Sequence, residues 1–211
     1  MEMPPPASPV HGDGRRRRSE RTRQTIIEAF LSLLRERADI PTAAQIASRA
    51  GISTRSVFER FDDLQTLAIA AVDHAFAQGE SLAIARNVDG QRHERIRTHV
   101  ETRAQTCERW LPLWRVAVAN QARLDELQIR LRFMRQVVIR RIELMYAPEL
   151  TSVGEMHRQD LLIGIDALID FESWGRLREF YGFSVEDGVG LWIRTIDRML
   201  PPTPVASAVQ P

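Results

Sequence analysis

Arg55, Ser56, Glu59 and Arg60 fall within six positions of the stretch AGISTRSVFERF, residues 50–61. Two guanidiniums, a hydroxyl and a carboxylate grouped this closely are side chains that hydrogen-bond to base edges and phosphates. A guanidinium forms a bidentate pair with guanine, a hydroxyl serves either a base or a phosphate, and a carboxylate facing DNA repels the backbone unless it accepts from a cytosine amino group. Arg55 is therefore the candidate base reader, with Thr54 and Ser56 for bases or phosphates and Arg60 and Thr42 for phosphates. Glu59 either reads a cytosine or points away.

These residues need a scaffold, and the surrounding pattern supplies one. Thr54, Val57, Phe58 and Phe61 stand at offsets of zero, three, four and seven, one stripe of a helix, and are expected to anchor it. Upstream, Thr42 and Gln45 form a capping box that opens TAAQIASRA, Gly51 ends that helix, and Ser53 caps the next. Two short helices joined by a Gly-containing turn make a helix-turn-helix, whose second helix enters the major groove of double-stranded DNA. Ile26, Ile27, Phe30, Leu33 and Leu34 mark a preceding helix from Thr22 to Arg37. A longer helix follows, capped by Asp62 or Asp63 and carrying Leu64, Leu67, Ala68, Ala71, Val72, Ala75 and Phe76 on one side.

The charge distribution agrees. The 211-residue chain has a net charge of only +1, yet residues 15–61 hold eleven arginines against five acids. Every basic residue is arginine, so phosphates must be met by a planar fork or by neutral donors. Arg15, Arg16, Arg17 and Arg18 form a cationic arm expected to touch DNA, since each phosphate neutralised adds counterion release to binding.

The run TAAQIASRAGISTRSVFERFDDLQTL resembles the N-terminal domain of the TetR family of bacterial transcription regulators. Thr42, Ile46, Ala47, Ala50, Gly51, Ile52, Ser53, Ser56, Val57, Phe58, Phe61 and Leu67 match that family's pattern in order. The resemblance covers about the first 75 residues; the length, the helical remainder and the late FESWGRLREFYGFSVEDGVGLWIRTIDRML segment are similar less specifically. Two departures stand out: Phe58 replaces a usual Tyr whose hydroxyl reaches phosphate, and Leu64 replaces a common Lys. The resemblance implies a homodimer on a palindromic operator, a repressor by default, released by a small-molecule effector.

The remainder reads as helix after helix, so the fold class is all-α, with a helix-turn-helix domain followed by a larger ligand-binding and dimerisation domain. The expected divisions are a disordered arm at 1–18, the DNA-binding domain at 19–68, the helical domain at 69–200 and a disordered Pro-rich tail at 201–211. Pro112 is expected to interrupt a helix, and 147–154 to form a loop. The last two helices, about 155–181 and 184–200, are expected to pair across a two-fold axis. Their apolar positions are Leu161, Leu162, Ile165, Leu168 and Ile169 on one, and Val189, Trp192, Ile193, Ile196 and Leu200 on the other.

Catalytic and metal chemistry find no foothold. His93 and His99 are six apart and face different sides of a helix, His74 and His157 stand alone, and neither HExxH nor CxxC occurs. Asp166 and Asp170 share a helix face without a partner for acid–base work, and Cys107, the lone cysteine, has no disulfide mate. No enzyme activity, metal or cofactor is expected. No apolar run approaches the roughly 20 residues of a membrane span, and the Pro-rich start lacks a secretory pattern, so a cytoplasmic protein is expected. An effector cavity would draw on His99, Arg103, Cys107, Trp110, Trp114, Phe133, Met134, Phe171 and Trp174, which mix aromatic bulk with isolated polarity on the central helices. The rival readings are an all-helical carrier or enzyme that kept the N-terminal fold without specific DNA binding, and an architectural or activating DNA binder.

Overall fold

The computed structural model describes residues 11–36, 40–83, 86–122 and 124–204, and all regular structure among them is helical. The chain divides into two compact units, one running to Ala71 and the other beginning at Val72. In the first, α1 (His11–Glu36), α2 (Ala43–Ala50), α3 (Thr54–Phe58) and the first turns of α4 (Leu64–Ala83) enclose Ile26, Phe30, Ile46, Val57, Phe61 and Leu67, each at most 1% exposed. The capping box at Thr42 is present, with Gln45 N–H donating to the hydroxyl and the Gln45 side chain accepting from Thr42 N–H. Gly51 closes α2 at φ +68°, a left-handed conformation that any side chain would strain. Asp63, rather than Asp62, caps α4, accepting from Thr66 N–H at 2.7 Å.

The arginine arm departs from the expectation of disorder: α1 already includes residues 15–18. Adding residues to an anchored helix avoids the nucleation cost, and arginine is among the better helix formers.

The second unit continues with α5 (Arg92–Asn120), α6 (Asp125–Met145), α7 (Ala147–Leu150), α8 (Glu155–Leu168), α9 (Phe171–Gly175) and α10 (Val185–Met199). Pro112 does not interrupt α5. It forfeits the bond to the Glu108 carbonyl, but Trp110, Leu111, Leu113 and Trp114 around it are all buried, and their packing outweighs a penalty of about 3 kcal/mol. The expected 147–154 loop begins as the one-turn α7, whose Leu150 and Glu149 are buried. The expected 155–181 helix breaks at Ile169, where Asp170 caps α9 by accepting from Ser173 N–H, and Arg176–Phe180 follow as a π-helical turn.

Among the described residues, Arg95, His99 and Glu149 are the buried charged or titratable polar side chains besides tyrosine and cysteine. Arg95 and Glu149 form a bidentate pair at 2.6 and 2.9 Å, and Arg95 also donates to the carbonyls of Gly90 and Met145. Thr203 donates to the same carboxylate at 2.5 Å, while Arg92 donates to the carbonyls of Asp197, Leu200 and Pro201 at the end of α10. Residues 201–204, expected to be disordered, are thus tied down by Arg92 of α5 at Pro201 and by Glu149 of α7 at Thr203; residues 205–211 lie outside the described part.

Burial alone would raise the Glu149 carboxyl, but hydrogen bonds from Arg95 and Thr203 hold it below its ordinary value. Its stabilising contribution is therefore complete above the unfolded carboxylate range near 4.3 and is lost as pH falls through its lower folded value. Glu149→Gln strands a buried guanidinium and should cost about 3 kcal/mol or more in urea unfolding at pH 7. A loss under about 1 kcal/mol would show that the pair is not buried as described.

Candidate nucleic-acid interface and ligand cavity

Five residues cannot sustain a helix alone, so α3 depends on its anchors. Val57 and Phe61 supply them, each 1% exposed, and Arg23 of α1 clamps the far end, its guanidinium 4.4 Å from the Phe61 ring centroid and donating to the Arg60 carbonyl. The anchoring line is narrower than the sequence pattern implied. Thr54 is exposed and Phe58 is 46% exposed, because a helix of one and a half turns presents only one line of side chains to the layer beneath it.

The polar face is open. Arg55 has 87% of its side chain exposed and donates to the Glu59 carboxylate at 3.1 Å, an exposed ion pair worth at most about 1 kcal/mol and readily exchanged for another acceptor. Glu59 therefore neutralises its neighbour in the free chain. Ser53 caps α3 by accepting from Ser56 N–H at 3.1 Å, and the two serine hydroxyls lie 2.9 Å apart. Arg60 is half-buried, with Nη1 directed at the Glu59 carbonyl and Nε buried without a hydrogen-bond partner. Thr42 is exposed at the start of α2, its hydroxyl donating to Gln45. Arg16, Arg17 and Arg18 are exposed along the first turns of α1. Arg23 was not foreseen from sequence, since nothing in its spacing distinguishes it from other α1 arginines.

The second unit encloses a cavity of about 330 Å³, at the lower end of the range for small-molecule sites. Its wall includes Val72, Ala75 and Phe76 of α4, and seven of the nine expected residues: His99, Arg103, Trp110, Trp114, Phe133, Met134 and Phe171. The other two are corrections. Cys107 is fully buried with Sγ 3.9 Å from the Ile169 carbonyl, and burial pushes its thiol up to about 11, leaving it an inert packing group. Trp174 packs on Trp192 at 4.9 Å, its indole N–H donating to Glu108, against Gly188, where a side chain would collide with the ring. Both share helices with residues of the cavity wall, but Cys107 faces the end of α8 and Trp174 faces α10 and Glu108 of α5.

The sequence reading passed over Thr106, Arg135, Arg141, Asp166 and Asp170, which also line the cavity. Trp114 stacks on Phe171 at 4.8 Å with planes 16° apart, and Arg103 lies over Phe171 at 4.7 Å while donating Nε–H to the Ile169 carbonyl. Phe133 is 54% exposed and contacts Phe76, placing an aromatic pair beside solvent. His99 Nδ1 lies 2.8 Å from the Tyr146 hydroxyl, and its Nε2 has no partner. Burial, reinforced by Arg141 and Arg103, lowers its pKa to about 3. No group of three or more potential metal ligands occurs among the described residues, and no helix there is long and apolar enough to cross a membrane.

The buried neutral His99 has a sign that can be measured. Between its folded value near 3 and an unfolded value near 6.5, the unfolded chain binds a proton that the folded chain refuses, so stability must fall as pH is lowered through that window. Urea midpoints measured from pH 7 to pH 5 should decline, and His99→Gln should flatten the decline; an identical slope in both proteins would contradict a neutral buried imidazole.

No protein-family model and no curated protein matches the sequence. Solved structures do match. A candidate TetR-family transcriptional regulator from Rhodococcus sp. superposes with a TM-score of 0.65 at 18% identity, over 85% of this chain and 98% of that one. A candidate transcriptional regulator from Pseudomonas aeruginosa PAO1 gives 0.62 at 16% identity, over 85% and 90%. A candidate TetR-family regulator from Mesorhizobium loti MAFF303099 gives 0.52 at 18% identity, over 86% and 96%. The chain has the fold of these proteins.

Proposed function

We propose that the chain is a homodimeric transcription regulator, a cytoplasmic repressor that binds a two-fold symmetric DNA operator through α3 and releases it when a small molecule enters the α4–α6 cavity. The observation that carries this reading is the division of α3 and the turn that follows it into a buried line, Val57 on the helix and Phe61 after it, and an exposed face bearing Arg55. A helix held this way can enter a major groove without rearranging its own support. The fold shared with proteins described as transcriptional regulators supports it. Ligand coupling would run through α4, which contributes Val72, Ala75 and Phe76 to the cavity wall and begins three residues after Phe61. An occupant shifts the balance of conformations only by as much as it prefers the non-binding one.

Selection of bound sequences from a random duplex pool, at defined salt, should return a two-fold symmetric motif. Arg55→Ala should erase preference at one base pair per half-site, a loss of about 1–3 kcal/mol confined to the specific duplex. Arg60→Ala should weaken specific and random duplexes alike. An unstructured selected pool favours an architectural binder, no recovery favours a carrier or enzyme, and equal losses for both variants on both duplexes contradict the assigned roles.

Pairing through the last two helices would use the part of them that one chain leaves uncovered. Leu161, Leu162, Ile165, Ile169, Trp192, Ile196 and Leu200 are buried within one chain, because α8 and α10 pack on their own unit first. Leu168, Val189 and Ile193 are half-buried, and the large apolar side chains left uncovered on α8 are Met156 and Ile163, 81% and 66% exposed and seven residues apart. Such a stripe suits a second copy related by a two-fold axis. The double variant Met156→Glu with Ile163→Glu should sediment as a monomer with unchanged helix content; a dimer that persists would place the interface elsewhere.

A further inference from the structure

The cavity wall carries more positive charge than its own carboxylates answer. Arg103, Arg135 and Arg141 line it together with Asp166 and Asp170. Asp170 is committed to α9, where its Oδ1 accepts from Ser173 N–H at 2.6 Å. Burial raises the Asp166 carboxyl, favouring its neutral form, although Arg103 opposes the shift. Burial also lowers the Arg141 guanidinium, and its proximity to Arg103 adds to this. Like charges gathered in a partly desolvated site are relieved by an anion.

Two polar groups are placed to receive one. Arg103 uses Nε on the Ile169 carbonyl, and its Nη1–Nη2 edge has no hydrogen-bond partner among the described residues. His99, a residue of the cavity wall, is 1% exposed and engages Tyr146 through Nδ1, and its buried Nε2 is unpartnered. A buried polar atom without a partner is costly unless a ligand satisfies it. Around these groups the wall is aromatic, with Trp110, Trp114 and Phe171.

We infer that the occupant of this cavity is a monoanion with an apolar body, its carboxylate-type head held between Arg103 and His99 and its body against Trp110, Trp114 and Phe171. With the Tyr146 hydroxyl donating to Nδ1, His99 carries its proton on Nε2 and donates it to the head, while the Arg103 fork supplies charge-assisted bonds. This deepens the reading of the cavity as an effector site and rests on it. A cationic occupant would have to sit among three guanidiniums with one carboxyl already spent as a helix cap.

Calorimetric titration of the full chain, free of DNA, tests this with two isosteric series: 4-phenylbutyrate, 4-phenylbutanamide and 4-phenylbutylamine, and decanoate, decanamide and decylamine. In at least one series the acid should bind about tenfold or more tighter than the amide, and the amine most weakly. Arg103→Gln should abolish the preference of acid over amide while leaving amide binding, which also shows that the variant is folded, and Asp166→Asn should retain or strengthen acid binding. Equal affinities for acid and amide, a preference for the amine, or no binding of any probe at millimolar concentration overturn the assignment. Because no DNA is present, these results stand apart from operator binding: selective acid binding by a chain that selects no duplex would uphold the ligand class and sink the regulator.

Discussion

A helix of five residues has no stability of its own, and the DNA-reading account depends on how α3 is held. Val57 buries one side of it, Phe61 anchors the turn that follows, Arg23 covers the Phe61 ring, and Ser53 caps the start. The consequence is a face whose side chains owe little to the fold. Arg55 contributes only a weak exposed pair with Glu59, so it can turn to a base at small cost. Arg60 is different: it is half-buried, its Nη1 is directed at the Glu59 carbonyl and its own carbonyl accepts from Arg23, so it is held in place.

In the second unit the same economy is built from a different interaction. The Arg95–Glu149 pair joins α5 to α7 and, through Thr203, to the segment after α10. One turn along α5 from Arg95 stands His99, which lines the cavity, and three residues before Glu149 stands Tyr146, so the pair fixes both members of the His99–Tyr146 contact. The dry ion pair is used for placement rather than for net stability, since burying it costs much of what its geometry returns. The cavity accordingly has a firm polar end at His99 and Arg103 and an aromatic edge beside solvent at Phe76 and Phe133.

Local chemistry was legible in the sequence because it is local. The capping box at Thr42, the left-handed Gly51 and the Ser53 cap each depend on neighbours within a few residues, and each is present. What was not legible depends on distant partners. Pro112 reads as a helix breaker until Trp110 and Trp114 are seen buried beside it, and Cys107 and Trp174 read as cavity residues until Cys107 is seen against Ile169 and Trp174 against Trp192 of α10. Asp166, Arg135 and Arg141 carry no local sign of a shared cavity, and only the meeting of α5, α6 and α8 turns them toward one space. The apolar residues of α8 and α10 carry no mark that tells which of them one chain buries, and only the packing shows Leu161, Leu162 and Ile165 covered while Met156 and Ile163 stay exposed.

The most direct measurement of whether α3 lies against DNA uses Phe58, exposed on that helix and unneeded for its anchoring. A photoreactive phenylalanine analogue placed at position 58, irradiated with a duplex the chain selects, should yield a covalent protein–DNA adduct. The same analogue at exposed Phe180, on the π-helical turn of the second unit, should yield none. An adduct from position 180 with none from position 58 would mean that DNA meets another surface and that α3 is not the reader.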